Sequence, residues 1–169
     1  MPQYPVEPLG KHHNRAAFSC GVEALDAYLQ QHARRNVEQR IAAVFVLVDI
    51  ENNRLIGYYS LSSGSVDLQG FPENLKKKLP RYPVPIVLLG RLAIDVGYQK
   101  QHLGEALLVD ALKRAFDHSH HVGAMAVVVD AKGDQARAFY ERYGFQRFVD
   151  DEYRLFIPMT TIAQLIEER

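Results

Sequence analysis

Apolar residues recur at helical spacing in three segments of the chain. The first runs from about Val22 to Arg40, and the second is GEALLVDALKRAF at 104–116. The third, DQARAFYERYG, ends at Gly144, a residue type that often terminates helices. PENLKKKL adds a short helix with Pro72 in its first turn. The pattern therefore predicts three main helices and one short one.

Runs of apolar and β-branched residues between these helices predict the strands. AAVFVLVDI at 42–50 and RLIGYYSLSSGSVDL at 54–68 flank the turn residues 51–53, which indicates a hairpin. IVLLGRLAID at 86–95 is apolar at nearly every position, so we expect a central strand buried on both faces. Three further segments are predicted as strands: MAVVVDA, FQRF and YRLFIPM.

The order of these elements predicts an α/β fold of mixed α+β type. Strands and helices alternate through the middle of the chain, which indicates a partly parallel, mixed central sheet flanked by helices. The first fourteen residues predict an arm with one short strand. Neither a repeat nor a long linker divides the chain, so residues 1–169 are predicted to form a single domain.

Composition narrows the functional classes. Lys plus Arg and Asp plus Glu both total 20, so a whole-molecule basic field is absent. Cys20 is the only cysteine, which excludes an intrachain disulfide and fits a reducing cytoplasm. The start of the chain lacks a signal-peptide pattern, and the apolar runs are too short to cross a bilayer. We therefore expect a cytoplasmic protein with no membrane contact. The seven histidines show no metal-ligand spacing, so no metal is expected.

The segment 97–104, between the central strand and the next helix, is a candidate anion site. The first turn of a helix carries free backbone N–H groups and the positive end of the helix dipole, which suit a phosphate or pyrophosphate. No Gly-Lys-Ser/Thr sequence follows, and only Gly97 and Gly104 are glycines, so P-loop and dinucleotide fingerprints are excluded. By spacing alone, an ordinary strand–helix connection is the alternative.

Several blocks in order resemble one family. RLAIDVGYQKQHLGEALLVDAL is similar to motif A of the GNAT acetyltransferases, in which Gln/Arg-x-x-Gly-x-Gly/Ala precedes a Leu-rich helix. AVVVDA and RAFYERYGF resemble the second half of the family. FSCGVEALDAYL, IGYYSLSSGSV and LPRYPVPIVLLGRLAID resemble the acetyltransferase toxins of bacterial toxin–antitoxin pairs. The resemblance covers roughly residues 15–159.

The resemblance implies an acetyl-CoA-dependent N-acetyltransferase and assigns roles to residues. Backbone groups of one strand would pair with the pantetheine arm, and an N–H near Leu92 or Ala93 would stabilise the oxyanion. Amides of the loop and the first helical turn would hold the pyrophosphate. The implied cofactor-binding residues are Leu92, Ala93, Ile94, Gln99, Lys100, Gln101, His102, Leu103, Gly104, Glu105, Ala106, Ala136 and Phe139.

Tyr140 is the catalytic candidate that the resemblance implies. It would act as the general acid that protonates the departing CoA thiolate. Its position on a helix beside Phe139 and Tyr143 also fits a core aromatic residue, and this is the alternative from spacing alone.

The chain departs from the family pattern at His102, where the first motif glycine is usual. Glycine permits close backbone approach and left-handed dihedrals. Histidine retains the backbone N–H and tolerates the left-handed region better than most residues. We therefore expect cofactor binding to be retained.

The toxin-like blocks imply the α-amino group of an aminoacyl-tRNA as acceptor, and a cognate small antitoxin as partner. Members of the family often form homodimers, so a homodimer is a further expectation. A basic surface would have to receive the tRNA. Two alternatives stay open: acetylation of a small-molecule or protein amine, and a CoA-binding protein with little activity. The candidate tRNA-binding residues are Arg34, Arg35, Lys77, Lys78, Arg81 and Arg91.

Overall fold

The computed structural model describes residues 4–168, which form two compact units. Within the described residues, one unit comprises 4–62 and Gly90–Ala111, and the other comprises Ser63–Leu89 and 112–168. The two ends of the predicted single domain, residues 1–3 and 169, lie outside the described residues.

Seven strands form one mixed sheet with the order β1-β2-β3-β4-β5-β7-β6. β1, β2 and β3 pair antiparallel, and β4 pairs parallel with β5 from Ile86↔Ala126 to Leu88↔Val128. The predicted hairpin of β2 and β3, the parallel pairing and the central position of β4 are all confirmed. The strands are β1 Val6–Pro8, β2 Ala43–Asp49, β3 Arg54–Val66, β4 Val84–Ile94, β5 Ala126–Asp130, β6 Gln146–Arg147 and β7 Arg154–Pro158.

The helices agree with the predicted pattern except at two places. α1 Glu23–Ala27, a π-helical segment Tyr28–His32 and α2 Ala33–Glu38 replace the single predicted N-terminal helix. α6 Met159–Glu167 was not predicted, because the predicted strand YRLFIPM extended past Pro158, the residue that caps this helix. The remaining helices are α3 Glu73–Lys76, α4 Leu103–His118 and α5 Asp134–Arg142.

The π-helical segment interrupts the regular hydrogen-bond pattern between α1 and α2. A π-turn shifts hydrogen bonds from the i−4 to the i−5 carbonyl, so carbonyl oxygens are left for other donors. Arg15 supplies one such donor, because its Nη1 atom lies 3.3 Å from the carbonyl oxygens of both Leu29 and Gln30. The Gln30 side chain in turn donates to the Phe18 carbonyl at 3.0 Å. The segment preceding α1 is thereby fastened to the π-turn.

In the first unit, the N-terminal helices pack on β2 and β3. Tyr28, Leu29 and Ala33 join strand residues such as Val46 and Tyr58 in one buried cluster. Gly57 of β3 admits no side chain, since a Cβ atom there would meet the carbonyl oxygen of Ala93 at 3.1 Å and the Ile94 side chain at 2.8 Å. The backbones of β3 and of the end of β4 therefore lie so close together that a side chain at Gly57 would be crowded.

In the second unit, an aromatic group forms the centre of the core. The rings of Phe71, Phe148 and Phe156 have centroids 5.0–5.1 Å apart. Val84, Ile86 and the inward residues of β5 pack against them. Across residues 4–168, the helices all fall short of the length and apolarity that crossing a membrane requires.

Candidate active site

The turn that follows β4 is built around a buried carboxylate. Asp95 is 1% exposed, and its Oδ1 atom accepts the N–H of Gly97 at 2.9 Å. Its Oδ2 atom accepts the N–H of Ser19 at 3.0 Å and is paired with Arg54 at 3.4 Å. A buried charge is tolerated when it is paired and hydrogen-bonded in this way. Asp95 therefore fixes where the loop leaves the sheet.

The Gln99 side chain closes the same turn from its far end. Its Nε2 atom donates to the carbonyl oxygens of Ile94 at 2.9 Å and Cys20 at 3.1 Å. The amide is thus engaged with the loop's own backbone, so a ligand would meet the main chain of Gln99 rather than its side chain.

Two residues of the loop, Lys100 and His102, adopt left-handed backbone conformations with φ of 66° and 61°. Such values are uncommon outside glycine and cost on the order of 1 kcal/mol or more. The motif position that is usually glycine therefore does require a left-handed residue here. His102 meets this requirement, and its side chain is exposed.

His102 directly precedes α4, so the N-terminus of this helix lies at the end of the loop. The His102 carbonyl oxygen accepts the N–H of Ala106 at 3.3 Å. The earlier N–H groups of the first turn, from Leu103 to Glu105, precede any intrahelical acceptor. Together with the dipole of a sixteen-residue helix, they form a surface that favours an anion.

β4 itself extends beyond its ladder with β5. The pairing ends at Leu88↔Val128, whereas β4 continues to Ile94. Leu92 and Ile94 are half-buried and Ala93 is buried. Strand backbone that continues past its neighbour can pair with an extended ligand.

Tyr140 lies in the second unit near the end of α5 and is 9% exposed. Burial raises the pKa of its phenol to about 12. Its ring packs against Phe139 and Phe145 at centroid distances of 5.3 and 5.2 Å. Within residues 4–168, no group hydrogen-bonds to its hydroxyl. The hydroxyl is not fully shielded from solvent, since among residues 4–168 the fully buried polar atoms without a partner are Arg137 Nη1 and Arg154 Nε.

The candidate tRNA-binding residues have different surroundings in the two units. In the first, Arg34 is engaged with Glu38 at 3.1 Å, Arg35 is exposed, and Arg91 stacks on Tyr28. In the second, Lys77, Lys78 and Arg81 are exposed. Lys77 and Arg81 line the same cavity, of about 550 Å³, whereas Lys78 is not part of its lining. The remaining cofactor-binding candidates on α5, Ala136 and Phe139, are half-buried.

The structure also brings together three residues that sequence spacing separated. Ligand atoms of Glu7, His12 and His13 lie within 4.8 Å of one another. However, His13 Nδ1 accepts the N–H of Gly10 at 2.9 Å, so the neutral ring carries its proton on Nε2 and donates to Glu7 at 2.6 Å. Metal binding through Nε2 would require the opposite tautomer. The hydrogen bonds of His13 therefore stabilise the N-terminal arm, and the cluster is poorly arranged to bind a metal ion.

Cys20 is a buried thiol, and burial raises its pKa to about 11. A thiol with a raised pKa is a poor nucleophile at neutral pH. Cys20 therefore fits the role of a small core residue.

Asp49 and Asp95 cap turns, as expected for carboxylates at strand ends. Asp49 accepts the Asn52 side chain at 2.7 Å and the Tyr98 hydroxyl at 2.7 Å. These hydrogen bonds, that of Asn52 foremost, lower the pKa of Asp49, and Asp49 raises that of Tyr98. Tyr98 is thereby fastened beside the loop.

The fold and this site define a mixed α/β protein with an anion-binding turn at the end of a central strand. Comparison with known proteins is more specific. The family described as the acetyltransferase (GNAT) domain matches residues 16–163. A tRNA-acetylating toxin of Mycobacterium tuberculosis (strain ATCC 25618 / H37Rv) is 37% identical over 150 residues, or 89% of each chain.

Two solved structures are similar over almost the whole chain. AtaT complexed with acetyl-methionyl-tRNAfMet is 30% identical, with a TM-score of 0.90 over 97% of this chain and 99% of that one. A tyrosine-to-phenylalanine variant of the AtaT toxin bound to the C-terminus of the antitoxin AtaR and acetyl-CoA is 28% identical. Its TM-score is 0.83 over 98% and 99% of the two chains.

The chain belongs to the GNAT acetyltransferase family. The predicted fold, the acetyltransferase activity and acetyl-CoA as acetyl donor are confirmed.

Sequence reasoning missed two elements of the site. It named Asp95 only within the predicted strand 86–95, which is apolar at nearly every position and gives no signal of a buried carboxylate at its end. It did not identify Tyr28, because helical periodicity does not reveal a π-turn.

Proposed function

We infer that this protein is a toxin that transfers the acetyl group of acetyl-CoA to the α-amino group of an aminoacyl-tRNA. The left-handed turn at Lys100 and His102, which opens onto the N-terminus of α4, carries the cofactor part of the proposal. The tRNA part is supported by the similarity to the tRNA-acetylating toxin and to AtaT in complex with its acetylated tRNA. An acetylated α-amine is no longer nucleophilic, so it cannot accept the next peptide and translation stops.

The loop fits the phosphate part of acetyl-CoA on its own geometry. Two left-handed residues shape the loop, and the first turn of α4 adds backbone N–H donors at the positive end of the helix dipole. We assign the pyrophosphate to Gln99, Lys100, Gln101, His102 and Leu103 with the first residues of α4, Gly104, Glu105 and Ala106. The backbone of Leu92, Ala93 and Ile94 would pair with the pantetheine arm, and Ala136 and Phe139 complete the assignment.

The reaction requires few catalytic groups from the protein. Acetyl-CoA supplies an acetyl thioester, and an α-amine with a pKa near 8 is already partly neutral at pH 7, so no general base is needed. The nitrogen bonds to the acetyl carbon, the carbon–sulfur bond breaks, and the sulfur gains a proton while the nitrogen loses one. A backbone N–H near Leu92 or Ala93 would donate to the carbonyl oxygen as negative charge develops there.

We assign the proton on sulfur to Tyr140. Because its pKa is raised to about 12, the phenol is fully protonated at neutral pH and ready to donate. The same shift makes it a weaker acid than a free thiol, so donation has to accompany the breaking of the carbon–sulfur bond. Geometry thus matters more than acidity for this step.

The proposal extends to organisation and partners. Residues 1–169 are assigned to a single GNAT domain, and the match over 16–163 supports this. A small antitoxin is assigned as partner, supported by the complex of AtaT with the C-terminus of AtaR. The proposed substrate locates the reaction in the cytoplasm. A homodimer stays a prediction.

Incubation with acetyl-CoA and a set of charged tRNAs tests the activity. Mass spectrometry of the released aminoacyl ends should show a gain of one acetyl group on one or more amino acids. Acetylation of polyamines or protein lysines with none on charged tRNA would contradict the proposal.

A further inference from the structure

The guanidinium of Arg91 lies flat over an aromatic ring in the first unit. Its Cζ atom is 3.5 Å from the centroid of the Tyr28 ring, a close cation–π contact. Arg91 is half-buried on β4, and Tyr28 is the first residue of the π-helical segment. The contact therefore joins the functional strand to the unusual turn of the N-terminal helix.

The ring beneath Arg91 is held on several sides. The Asn36 side chain donates to the Tyr28 hydroxyl at 2.9 Å, and the Tyr58 ring stacks on Tyr28 at 6.3 Å between centroids with 16° between planes. The Tyr58 hydroxyl is anchored to the Leu25 carbonyl at 2.6 Å. Tyr28 is thus a fixed platform, and a guanidinium stacked on it is held in orientation before any ligand binds.

The charge on Arg91 is left unpaired. Among residues 4–168, no carboxylate lies within ion-pair distance of it and no acceptor takes its N–H groups. The other arginines that lie over aromatic rings are paired with carboxylates: Arg54 with Asp95, Arg137 with Asp134 and Arg154 with Asp130. A planar guanidinium with free donors matches two oxygens of a phosphate in bidentate geometry.

The position of Arg91 along β4 indicates which phosphate of the substrate its guanidinium would bind. Side chains alternate along a strand, so Arg91 and Ala93 face the same side, and they are about 7 Å apart. Ala93 lies in the segment to which the thioester end of the cofactor is assigned above. A phosphate about one nucleotide away from the acceptor amine is the one on the 5′ side of the terminal, aminoacylated nucleoside.

We propose that Arg91, oriented by Tyr28, binds the phosphodiester that precedes the aminoacylated terminal adenosine of tRNA. This inference rests on the proposed function, and it names the contact that distinguishes the nucleic-acid acceptor from a free amine. Arg91 binds substrate here, and Tyr28 is a positioning residue that acts through it.

Two acceptors, one that contains this phosphodiester and one that lacks it, provide the test. One is an aminoacyl ester of the trinucleotide CCA, and the other is the same aminoacyl ester of adenosine alone. Wild-type protein should use the trinucleotide with kcat/KM at least tenfold higher, because a charge-assisted bidentate contact is lost with adenosine. In Arg91→Gln this preference should disappear, because kcat/KM on the trinucleotide falls towards that on aminoacyl-adenosine. Arg91→Lys should keep part of it, and Tyr28→Leu should weaken it in the same direction.

Lys113→Gln is the matched control, since it removes one positive charge from an exposed position of α4. It should leave the preference as in wild type. Calorimetry with acetyl-CoA reports on folding and on the alternative source of phosphate. Arg91→Gln that binds acetyl-CoA normally supports the proposal, whereas a large loss would assign Arg91 to a cofactor phosphate and overturn it.

Retention of the full trinucleotide preference in Arg91→Gln would likewise overturn the assignment. Failure of the wild-type protein to acetylate any charged tRNA would instead count against the proposed function, so the two failures are distinguishable.

Discussion

The Oδ2 atom of Asp95 accepts the backbone N–H of Ser19 at 3.0 Å, which joins segments 76 residues apart. The same carboxylate holds Gly97, at the start of the anion-binding turn. The segment before the first helix and the cofactor loop are therefore fixed by one buried side chain.

Replacement of Asp95 should affect cofactor binding without removing any group that contacts the cofactor. Asp95→Asn loses the charge that pairs with Arg54 and one acceptor, which should lower the free energy of unfolding by about 1–3 kcal/mol. The KM for acetyl-CoA should rise more than kcat falls, because the turn loosens while the catalytic group is untouched. Steady-state kinetics and urea unfolding measure both. An equal fall in kcat with unchanged KM would contradict this positioning role.

Tyr140→Phe should reduce kcat by about a hundredfold, the usual size of a general-acid contribution. Acetyl-CoA affinity by calorimetry and the thermal midpoint should change little, because the ring contacts with Phe139 and Phe145 are retained. Tyr143→Phe, a half-buried tyrosine near the same helix end, is the matched control and should keep its turnover. Turnover near that of wild type in the Tyr140 variant would remove this residue from the mechanism.

His102→Gly should bind acetyl-CoA at least as tightly as the wild-type protein. Glycine adopts a φ of 61° without the steric cost that histidine bears, a difference on the order of 1 kcal/mol in favour of the bound loop geometry. His102→Val should bind more weakly, because a β-branched residue is strongly disfavoured in that region. Calorimetry on the three proteins gives the order. Binding by none of them would contradict the assignment of the loop to the cofactor.

The arm should be more strongly fastened above pH 5 than at acidic pH. The hydrogen bond from His13, foremost among several contacts, lowers the pKa of Glu7 below its usual value near 4.5. A lowered pKa means that the folded state binds the proton less readily than the unfolded state, so stability is present above about 4.5 and is lost as pH falls through the folded pKa.

Glu7→Gln removes this charge while keeping an amide oxygen as acceptor. Its unfolding free energy should be lower than that of wild type at pH 7, and the difference should shrink as the pH falls below about 4.5. Urea unfolding at a series of pH values measures this. A difference that stays constant down to pH 3 would show that the charge of Glu7 is not involved.

The periodicity of apolar residues by itself determined most of the fold. The β2–β3 hairpin, the central β4 and helices α4 and α5 follow from local patterns, because whether a segment is buried on one face or two is recorded in its own residues. The motif from Gln99 to Gly104 likewise indicated the loop that we assign to the cofactor. What the sequence analysis missed was the boundary between β7 and α6, because Pro158, the residue that caps α6, was included within the predicted strand.

The tertiary structure decided how these pieces become a site. The carboxylate of Asp95 closes a contact between distant segments, the π-turn orients Tyr28 beneath Arg91, and burial raises the pKa of Tyr140. None of these can be predicted from neighbouring residues, since each depends on which segments pack together and exclude water. The order of residues determined the elements and the motif. Only their packing determined the buried carboxylate of Asp95, the left-handed loop backbone and the burial of Tyr140, because each depends on contacts between segments distant in sequence.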